Sequence, residues 1–280
     1  MQKSDLLCEE FGKENGVEKR SEYGSANISK IVLNEELAKK YNRKSGIYYT
    51  IYSDAIIKVE KQRYDDLYKS ISKVIKEFLD YYKISKDDPV FVVGLGNANV
   101  TPDSLGPKVI DMLLVTRHLR IIDKDNENMQ NVLALAPGVM SQTGVESVDI
   151  VASIVKKIKP KLVIVIDALA AKSIKRINQT IQMTNTGIAP GSGIGNKRKE
   201  FSKDTLGCDC IAIGVPTVVD VRSVLEEMKE EFNNSDNFDP FSIEMDKVQF
   251  MVTPKEIDQN IIDLSHAISD GLNLALHDIK

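Results

Sequence analysis

The sequence predicts an α/β protein in which helices cover both faces of a mostly parallel central sheet, a three-layer αβα arrangement. One observation is a series of short, continuous Val/Ile-rich runs from residue 89 onward. Another is that segments with helical spacing of apolar residues alternate with those runs. Strands covered on both faces are apolar throughout, and their alternation with helices is typical of parallel sheets. We therefore expect one αβα domain over residues 51–280.

The elements follow in order along the chain. Residues 1–50 are polar and are expected to be irregular, whereas 47–59, IYYTIYSDAIIKV, predicts one or two strands. Apolar residues at steps of three and four predict an amphipathic helix over 61–83. Further on, the predicted elements are a strand in PVFVVGLG, a helix at 106–119, a strand in VLALAPG, a helix at 144–158, strands in KLVIVIDAL and CIAIGVP, a polar surface insertion near 228–248, and a last helix at 254–278.

Composition excludes several classes of protein. The chain has 280 residues, 42% hydrophobic and 28% charged, which is ordinary for a globular protein. A formal charge of −4 gives no basic excess for nucleic acid. No apolar window is long enough to span a bilayer, and the start lacks the apolar core of a signal peptide. We expect a cytoplasmic protein that binds neither nucleic acid nor membrane directly.

Cysteine and histidine are too few and too scattered for a zinc site. The three cysteines and three histidines match no zinc spacing, so we predict no metal and no cofactor. Cys208 and Cys210 are expected to pack as small hydrophobic residues near a strand. His118 is expected on a helix surface.

Two aspartates follow predicted strands at the sheet edge where ligands bind in such folds. Asp103 lies in GLGNANVTPD, and Asp167 lies directly after LVIVI. Each aspartate has an alternative role as a helix cap. A carboxylate at the rim of a buried strand is costly, however, which favours a functional role for Asp167.

Two glycine-rich stretches imitate nucleotide-binding motifs. The stretch from Gly94 to Asn97 lacks the third glycine of a dinucleotide fingerprint, since Asn99 stands in its place. PGSGIGNKRKE lacks the glycine and the Ser/Thr of a Walker A motif. We expect a loop that either is a solvated basic turn or presents three cations to an acidic substrate: Lys197, Arg198 and Lys199.

Several long blocks resemble the germination protease family of endospore-forming bacteria. They are VVGLGNANVTPDSLGPKVIDMLLVTRHL, APGVMSQTGVESVDI, VIVIDALAAKSIKRINQTIQMTNTGIAPGSGIGNKRKE, AIGVPTVVD and MVTPKEID, which together cover most of residues 90–280. The chain departs from the family in the short segment between TVVD and MVTPKEI and in the few residues that precede KSDLLCEE.

The resemblance implies an atypical aspartic-type endopeptidase with a phosphorylase/hydrolase-like fold similar to that of hydrogenase maturation proteases. It implies degradation of small acid-soluble spore proteins in the spore core, synthesis as a self-processing zymogen, and a homotetramer. The essential aspartates of the family fall on Asp103 and Asp167. Residues 1–50 would be a propeptide or regulatory segment, and the bond Asp5–Leu6, in a block similar to the self-processing site, is the candidate for self-cleavage.

Two carboxyl groups that share one proton can act in turn as base and acid on an amide and its attacking water. Backbone amides of the Gly94–Asn97 stretch or of Gly138 are candidates for holding the oxyanion and positioning substrate; the residues so assigned are Gly94, Gly96, Asn97 and Gly138. Two alternatives stay open: a maturation-type peptidase that acts on a metal-loaded client, and a non-catalytic binder of acidic spore proteins through Lys197, Arg198 and Lys199.

Overall fold

The computed structural model describes residues 6–9, 18–122, 129–191, 198–231 and 250–279. Within these ranges the strands are Glu18–Tyr23 (β1), Ala26–Leu33 (β2), Gly46–Tyr52 (β3), Val90–Gly94 (β4), Val132–Leu135 (β5), Leu162–Ala171 (β6), Thr180–Thr184 (β7), Asp209–Asp220 (β8) and Met251–Val252 (β9). The α-helices are Glu35–Lys40 (α1), Ala55–Lys58 (α2), Lys61–Tyr81 (α3), Leu105–Met112 (α4), Arg117–Ile122 (α5), Met140–Thr143 (α6), Ser147–Ile158 (α7), Lys203–Leu206 (α8), Val221–Glu231 (α9) and Ile257–His277 (α10).

Four strands form a parallel core. The sheet order is β1-β2-β3-β7-β8-β6-β4-β5, and β5, β4, β6 and β8 pair in parallel. All of β4 and the first six residues of β6 are buried. These strands are apolar throughout because both of their faces are covered. The predicted αβα fold with a mostly parallel core is confirmed.

The N-terminal strands correct the expectation that residues 1–50 are irregular. β1, β2, β3 and β7 join the sheet as antiparallel neighbours beside β8. The sequence of β2 indicates a half-buried strand, because its apolar residues Ala26, Ile28, Ile31 and Leu33 are buried among more exposed residues. β3 crosses residue 50, so the sheet continues through the boundary expected there. A regulatory role for the earlier residues stays a prediction.

Helices cover the two faces of the sheet. Leu162, Ile164 and Ile166 of β6 pack into a core that contains residues of α3, α4 and α10. Val163 and Val165 pack into a second core with Val151 and Val155 of α7. Successive residues of one strand thus point into different cores, as expected for a sheet between two helical layers.

Some element boundaries differ from those predicted. The helix expected at 106–119 is two helices, α4 and α5, because the backbone at Leu113 is extended and ends α4. The run 47–59 is a strand followed by the short helix α2. The insertion expected near 228–248 begins within α9, and residues 232–249 lie outside the described residues.

The cysteines and His118 lie as predicted. Cys210 is buried in β8 within the second core, and Cys208 packs against that core. Burial raises the pKa of the Cys208 thiol to about 11. His118 is exposed on α5. In the described part of the chain, no helix is long and apolar enough to span a bilayer.

Candidate active site

Glycines bring Asp103 back against the end of β4. A Cβ built on Gly94 would overlap the backbone of Gly106 in α4. Gly96 has a φ of +117°, and a Cβ there would overlap the carbonyl oxygen of Asp103. Such a φ and such close contact favour glycine at this position. The loop between β4 and α4 is therefore folded tightly enough to fix Asp103 beside the strand.

The carboxyl group of Asp103 is half-buried and accepts one backbone hydrogen bond. The N–H of Asn97 donates to its Oδ2 at 2.8 Å. Burial raises the pKa of Asp103, while the Asn97 hydrogen bond and the charge of Arg198 lower it less strongly. Burial disfavours the charged form of a carboxyl group. Asp103 therefore keeps its proton to a higher pH than an ordinary aspartate does.

Asp167 lies inside β6, not at the strand exit that the sequence predicted. β4 ends at Gly94, opposite Ile166, but β6 continues to Ala171 because it stays paired with β8, where Gly214 lies opposite Asp167. The residue is only 4% exposed, and its Oδ1 accepts the N–H of Ala168 at 3.0 Å. Asp167 thus lies one residue beyond the last residue pair of β4 and β6.

One cavity joins the two aspartates. Asp103 and Asp167 both line a cavity of about 390 Å³ at this edge of the sheet. Glu146, Arg198 and Lys199 also line it. Its apolar wall includes Val100, Pro102, Val148, Leu169, Phe201 and Met251. A site of this kind offers carboxyl groups for proton transfer and apolar surface for side chains of a bound peptide.

Of the four candidate oxyanion residues, the structure places one in the cavity wall. Gly96 lines the cavity, whereas Gly94, Asn97 and Gly138 are not among the described residues of its wall. The N–H of Asn97 already donates to Asp103, and the C=O of Gly138 accepts the hydroxyl of Ser147 at 2.8 Å. Their role in holding an oxyanion stays a prediction.

The basic loop reaches the site. Arg198 lines the cavity, and its charge acts on Asp103. Lys199 lines it as well, with its Nζ 3.0 Å from each carboxylate oxygen of Asp149 in α7. Lys197 lies outside the described residues. The sequence suggested a basic loop, but it did not indicate that this loop faces Asp103. No sequence motif singles out Glu146, which also lines the cavity.

The N-terminal segment packs close to the cavity. Leu6 is fully buried in a cluster with Leu169, which also lines the cavity. The N–H of Leu7 donates to Oε1 of Gln182 in β7 at 2.7 Å. Asp5, the other half of the predicted self-cleavage bond, lies outside the described residues. The segment after that bond is therefore anchored beside the candidate site.

Among the described residues, no group of three or more His, Cys, Asp and Glu side chains is arranged to hold a metal ion. The two aspartates, Glu146, the cations and the apolar wall are the chemical groups that this site offers.

The family profile and the sequence relatives agree on one family. The germination protease family profile matches residues 5–230. Similar proteins include the germination proteases of Oceanobacillus iheyensis (37% identical, covering 90% of this chain and 83% of the relative), Clostridium acetobutylicum (40%; 88% and 83%) and Bacillus subtilis (36%; 94% and 86%). Among solved structures, a [NiFe] hydrogenase maturation protease, HycI, from Thermococcus kodakarensis is 17% identical with a TM-score of 0.35, covering 71% of this chain and 99% of that chain.

Proposed function

This chain belongs to the germination protease family, and we propose that it is an endopeptidase that hydrolyses small acid-soluble spore proteins when spores germinate. Asp103 and Asp167 are the proposed catalytic pair. Membership of the family supports a peptidase that acts on protein substrates. We propose, in addition, the identity of the client protein, hydrolysis by two aspartates and activation by self-processing.

One observation carries the assignment of the catalytic pair. Asp103 and Asp167 come from different loops and strands, yet they line the same cavity. Their surroundings differ, because Asp103 ends the short 3-10 helix Thr101–Asp103, half-buried and within reach of the charge of Arg198, whereas Asp167 lies within a strand. Two carboxyl groups in different surroundings can hold different protonation states, which is what an acid and a base require.

The proposed hydrolysis uses one protonated and one ionised carboxyl group. One of the two aspartates is the proposed acid and the other the proposed base, and the pKa of Asp103, which burial raises, suits the acid role. The base takes a proton from water as the water oxygen bonds to the amide carbon, while the acid protonates the carbonyl oxygen. A proton then passes to the amide nitrogen as the C–N bond breaks, which releases an amine and a carboxylic acid. The two groups titrate as a pair in this scheme.

The cations at the cavity support binding of acidic clients. Arg198 and Lys199 line the cavity beside its apolar wall. We assign them, with Lys197, to binding a client that carries an acidic residue followed by an apolar one. Arg198 is the principal candidate, because Lys199 already pairs with Asp149.

The N-terminal contacts support a self-processing zymogen. Leu6 packs against Leu169 at the cavity, so the proposed bond Asp5–Leu6 lies next to a residue anchored near the site. Residues before β3 would then act as the regulatory segment. A homotetramer and a location in the spore core complete the proposal, and both rest on the family resemblance.

Incubation of the purified chain with a purified small acid-soluble spore protein tests this proposal. We expect specific cuts after acidic residues, with and without a chelator, because the proposed chemistry uses carboxyl groups alone. Mass spectrometry of the products identifies the bonds. A client that stays intact while it binds the chain would favour the non-catalytic binder, and cuts that require added nickel would favour a maturation-type peptidase.

A further inference from the structure

The stretch APGVMSQTG, residues 136–144, forms a compact turn between β5 and α7. The N–H groups of Gln142 and Thr143 both donate to the C=O of Val139, at 2.9 and 3.1 Å. The hydroxyl of Ser147, the first residue of α7, donates to the C=O of Gly138 at 2.8 Å. The turn, which contains α6, is therefore tied to the start of a long helix.

The side chain of Gln142 joins this turn to the loop that carries Asp103. Its Nε2 donates to Oδ1 of Asn97 at 2.8 Å. A Cβ built on Gly138 would lie 3.3 Å from Oε1 of Gln142, so the carboxamide lies against this glycine. Gly138 also has a φ of +73°, which glycine adopts at no steric cost. The turn thus places the carboxamide of Gln142 between Gly138 and Asn97.

Asn97 uses its side chain and its backbone in different contacts. Its Oδ1 accepts the N–H of Asn99 at 3.0 Å as well as the bond from Gln142. Its backbone N–H donates to Oδ2 of Asp103 at 2.8 Å. Hydrogen bonds weaken steeply when donor and acceptor are misaligned. A rotation of Asn97 would therefore weaken the bond to Asp103.

We propose that Gln142 is a positioning residue of the site, which holds Asn97 so that the N–H of Asn97 stays aligned with the carboxyl group of Asp103. This inference rests on the proposed function and assigns the turn at 136–144 a role in it. Gln142 is not among the described residues that line the cavity, so it acts through Asn97 and not on the client.

The hydrogen bond from Asn97 gives this role a signature that can be measured. The bond lowers the pKa of Asp103 against the larger effect of burial, because it favours the ionised carboxylate. Loss of the Gln142 contact should thus raise the pKa of Asp103. It should also lower kcat with little change in KM, because the contacts between client and cavity are unchanged.

Gln142→Met tests the proposal, because it keeps the length of the side chain and removes its N–H donor. The pKa of Asp103 is measured by carbon NMR in the Asp167→Asn chain, so that only one aspartate of the pair titrates. We expect a higher pKa in Gln142→Met and a kcat on a client peptide that falls about 2- to 12-fold, the range of one net hydrogen bond. Ser141→Ala, at an exposed position of α6, is the matched control and should change neither.

The other charged groups of the cavity are the same in Gln142→Met and Ser141→Ala, so a difference in the pKa of Asp103 between these variants reports the contact of Gln142. These groups are Glu146, Arg198 and Lys199.

A double-mutant cycle tests whether Gln142 acts through Asn97. Asn97→Ala removes the oxygen that Gln142 binds and retains the backbone N–H. We expect Asn97→Ala alone to raise the pKa of Asp103, and Gln142→Met to add nothing further in that chain. A further rise of the same size would show that Gln142 affects Asp103 by another route, which would overturn the proposal.

The outcomes separate this inference from the proposed function. An unchanged pKa of Asp103 in Gln142→Met, or an equal rise in Ser141→Ala, overturns the positioning role whether or not the wild-type chain cuts the peptide. A raised pKa with unchanged kcat also overturns it. If the pKa rises only in Gln142→Met but the wild-type chain cuts nothing, the contact is supported and the proposed function fails.

Discussion

Gly96 controls the position of Asp103 at the scale of a single residue. Because its φ is +117° and a Cβ would overlap the backbone of Asp103, Gly96→Ala must move the loop. Backbone strain of this kind costs about 1–3 kcal/mol. We expect the variant to lose stability by that amount in urea unfolding and to lose at least about tenfold in client turnover, since catalytic groups tolerate little displacement.

Gly144→Ala is the matched control for Gly96. Gly144 also has a positive φ, +73°, but a Cβ there meets nothing within 4 Å. We expect this variant to lose stability through the backbone alone and to retain its turnover. Equal losses of turnover in the two variants would show that the position of Asp103 does not matter.

Arg198 contributes to the protonation equilibrium of Asp103 in the proposed site. Its charge lowers the pKa of Asp103 against the larger effect of burial, so Arg198→Gln should raise that pKa. With Asp103 as the acid, the alkaline limb of the pH–rate profile should move to higher pH. In Lys199→Gln we expect this limb to stay in place, because Lys199 pairs with Asp149. An unmoved limb in Arg198→Gln would argue against Asp103 as the acid.

The sequence predicted the two aspartates and offered Arg198 and Lys199 as candidate substrate-binding cations, but it did not indicate that these cations line the same cavity as the aspartates. Asp103 and Asp167 follow strong apolar strands, and parallel strands bring their carboxyl ends to one edge of the sheet. Arg198 lies in a glycine-rich loop whose path depends on tertiary contacts. The spacing of residues along the chain therefore did not indicate that Arg198 lies near Asp103. The hydrogen bond from the N–H of Asn97 to Asp103 is a contact within the folded loop between β4 and α4, which a sequence pattern does not specify.

At the scale of elements, strongly periodic or continuous apolar segments were predicted well and edge strands were not. α3, α10 and the parallel strands carry the hydrophobic signal of their own burial. β1, in contrast, has mostly exposed residues, and the end of β6 is the alanine-rich stretch Ala168–Ala171, which is a strand through its pairing with β8. Strand preference depends on such neighbours more than on intrinsic propensity.

The N-terminal segment is the element through which activation is expected. Leu6 and Leu7 are fully or almost fully buried, so cutting the preceding bond leaves the new N-terminus anchored near the cavity. We expect the wild-type chain to lose its first five residues at mildly acidic pH and the Asp167→Asn variant to keep them. Mass spectrometry of both proteins measures this. An intact wild-type N-terminus together with full client activity would rule out self-processing as a requirement.

At the scale of the whole molecule, the antiparallel and parallel parts of the sheet share one core. Ile51 of β3, Ile164 of β6 and Ile268 of α10 belong to the same buried cluster. The described chain is therefore expected to unfold as one unit. A substitution at the end of α10 should then change the free energy of unfolding of that whole unit.

His277, at the end of α10, makes that stability depend on pH. Burial lowers its pKa, while its Nε2 lies 3.1 Å from the C=O of Leu114. The folded chain thus binds a proton on His277 less readily than the unfolded chain does. The stability from neutral His277 is complete above about pH 6.5 and is lost as the pH falls towards the lower folded pKa.

We expect His277→Gln to weaken this pH dependence. Urea unfolding at about pH 7 and about pH 5 should show a smaller loss of stability on acidification in the variant than in the wild type. His266→Gln, at an exposed position of the same helix, is the control and should behave as the wild type does. A variant as acid-sensitive as the wild type would assign the effect to other groups.

Asp103 and Asp167 are the two groups on which the proposed hydrolysis depends. Turnover of a purified small acid-soluble spore protein by Asp103→Asn and by Asp167→Asn is the most direct measurement, with Asp111→Asn as an exposed control in α4. Each catalytic variant should lose about 10²- to 10⁴-fold or more, the usual contribution of a general acid or base, while the control stays within a few-fold. Asp103→Asn should also unfold at higher urea at neutral pH, because its raised pKa shows that the fold disfavours the charged carboxylate. Full client cleavage by either folded variant would contradict the aspartate pair.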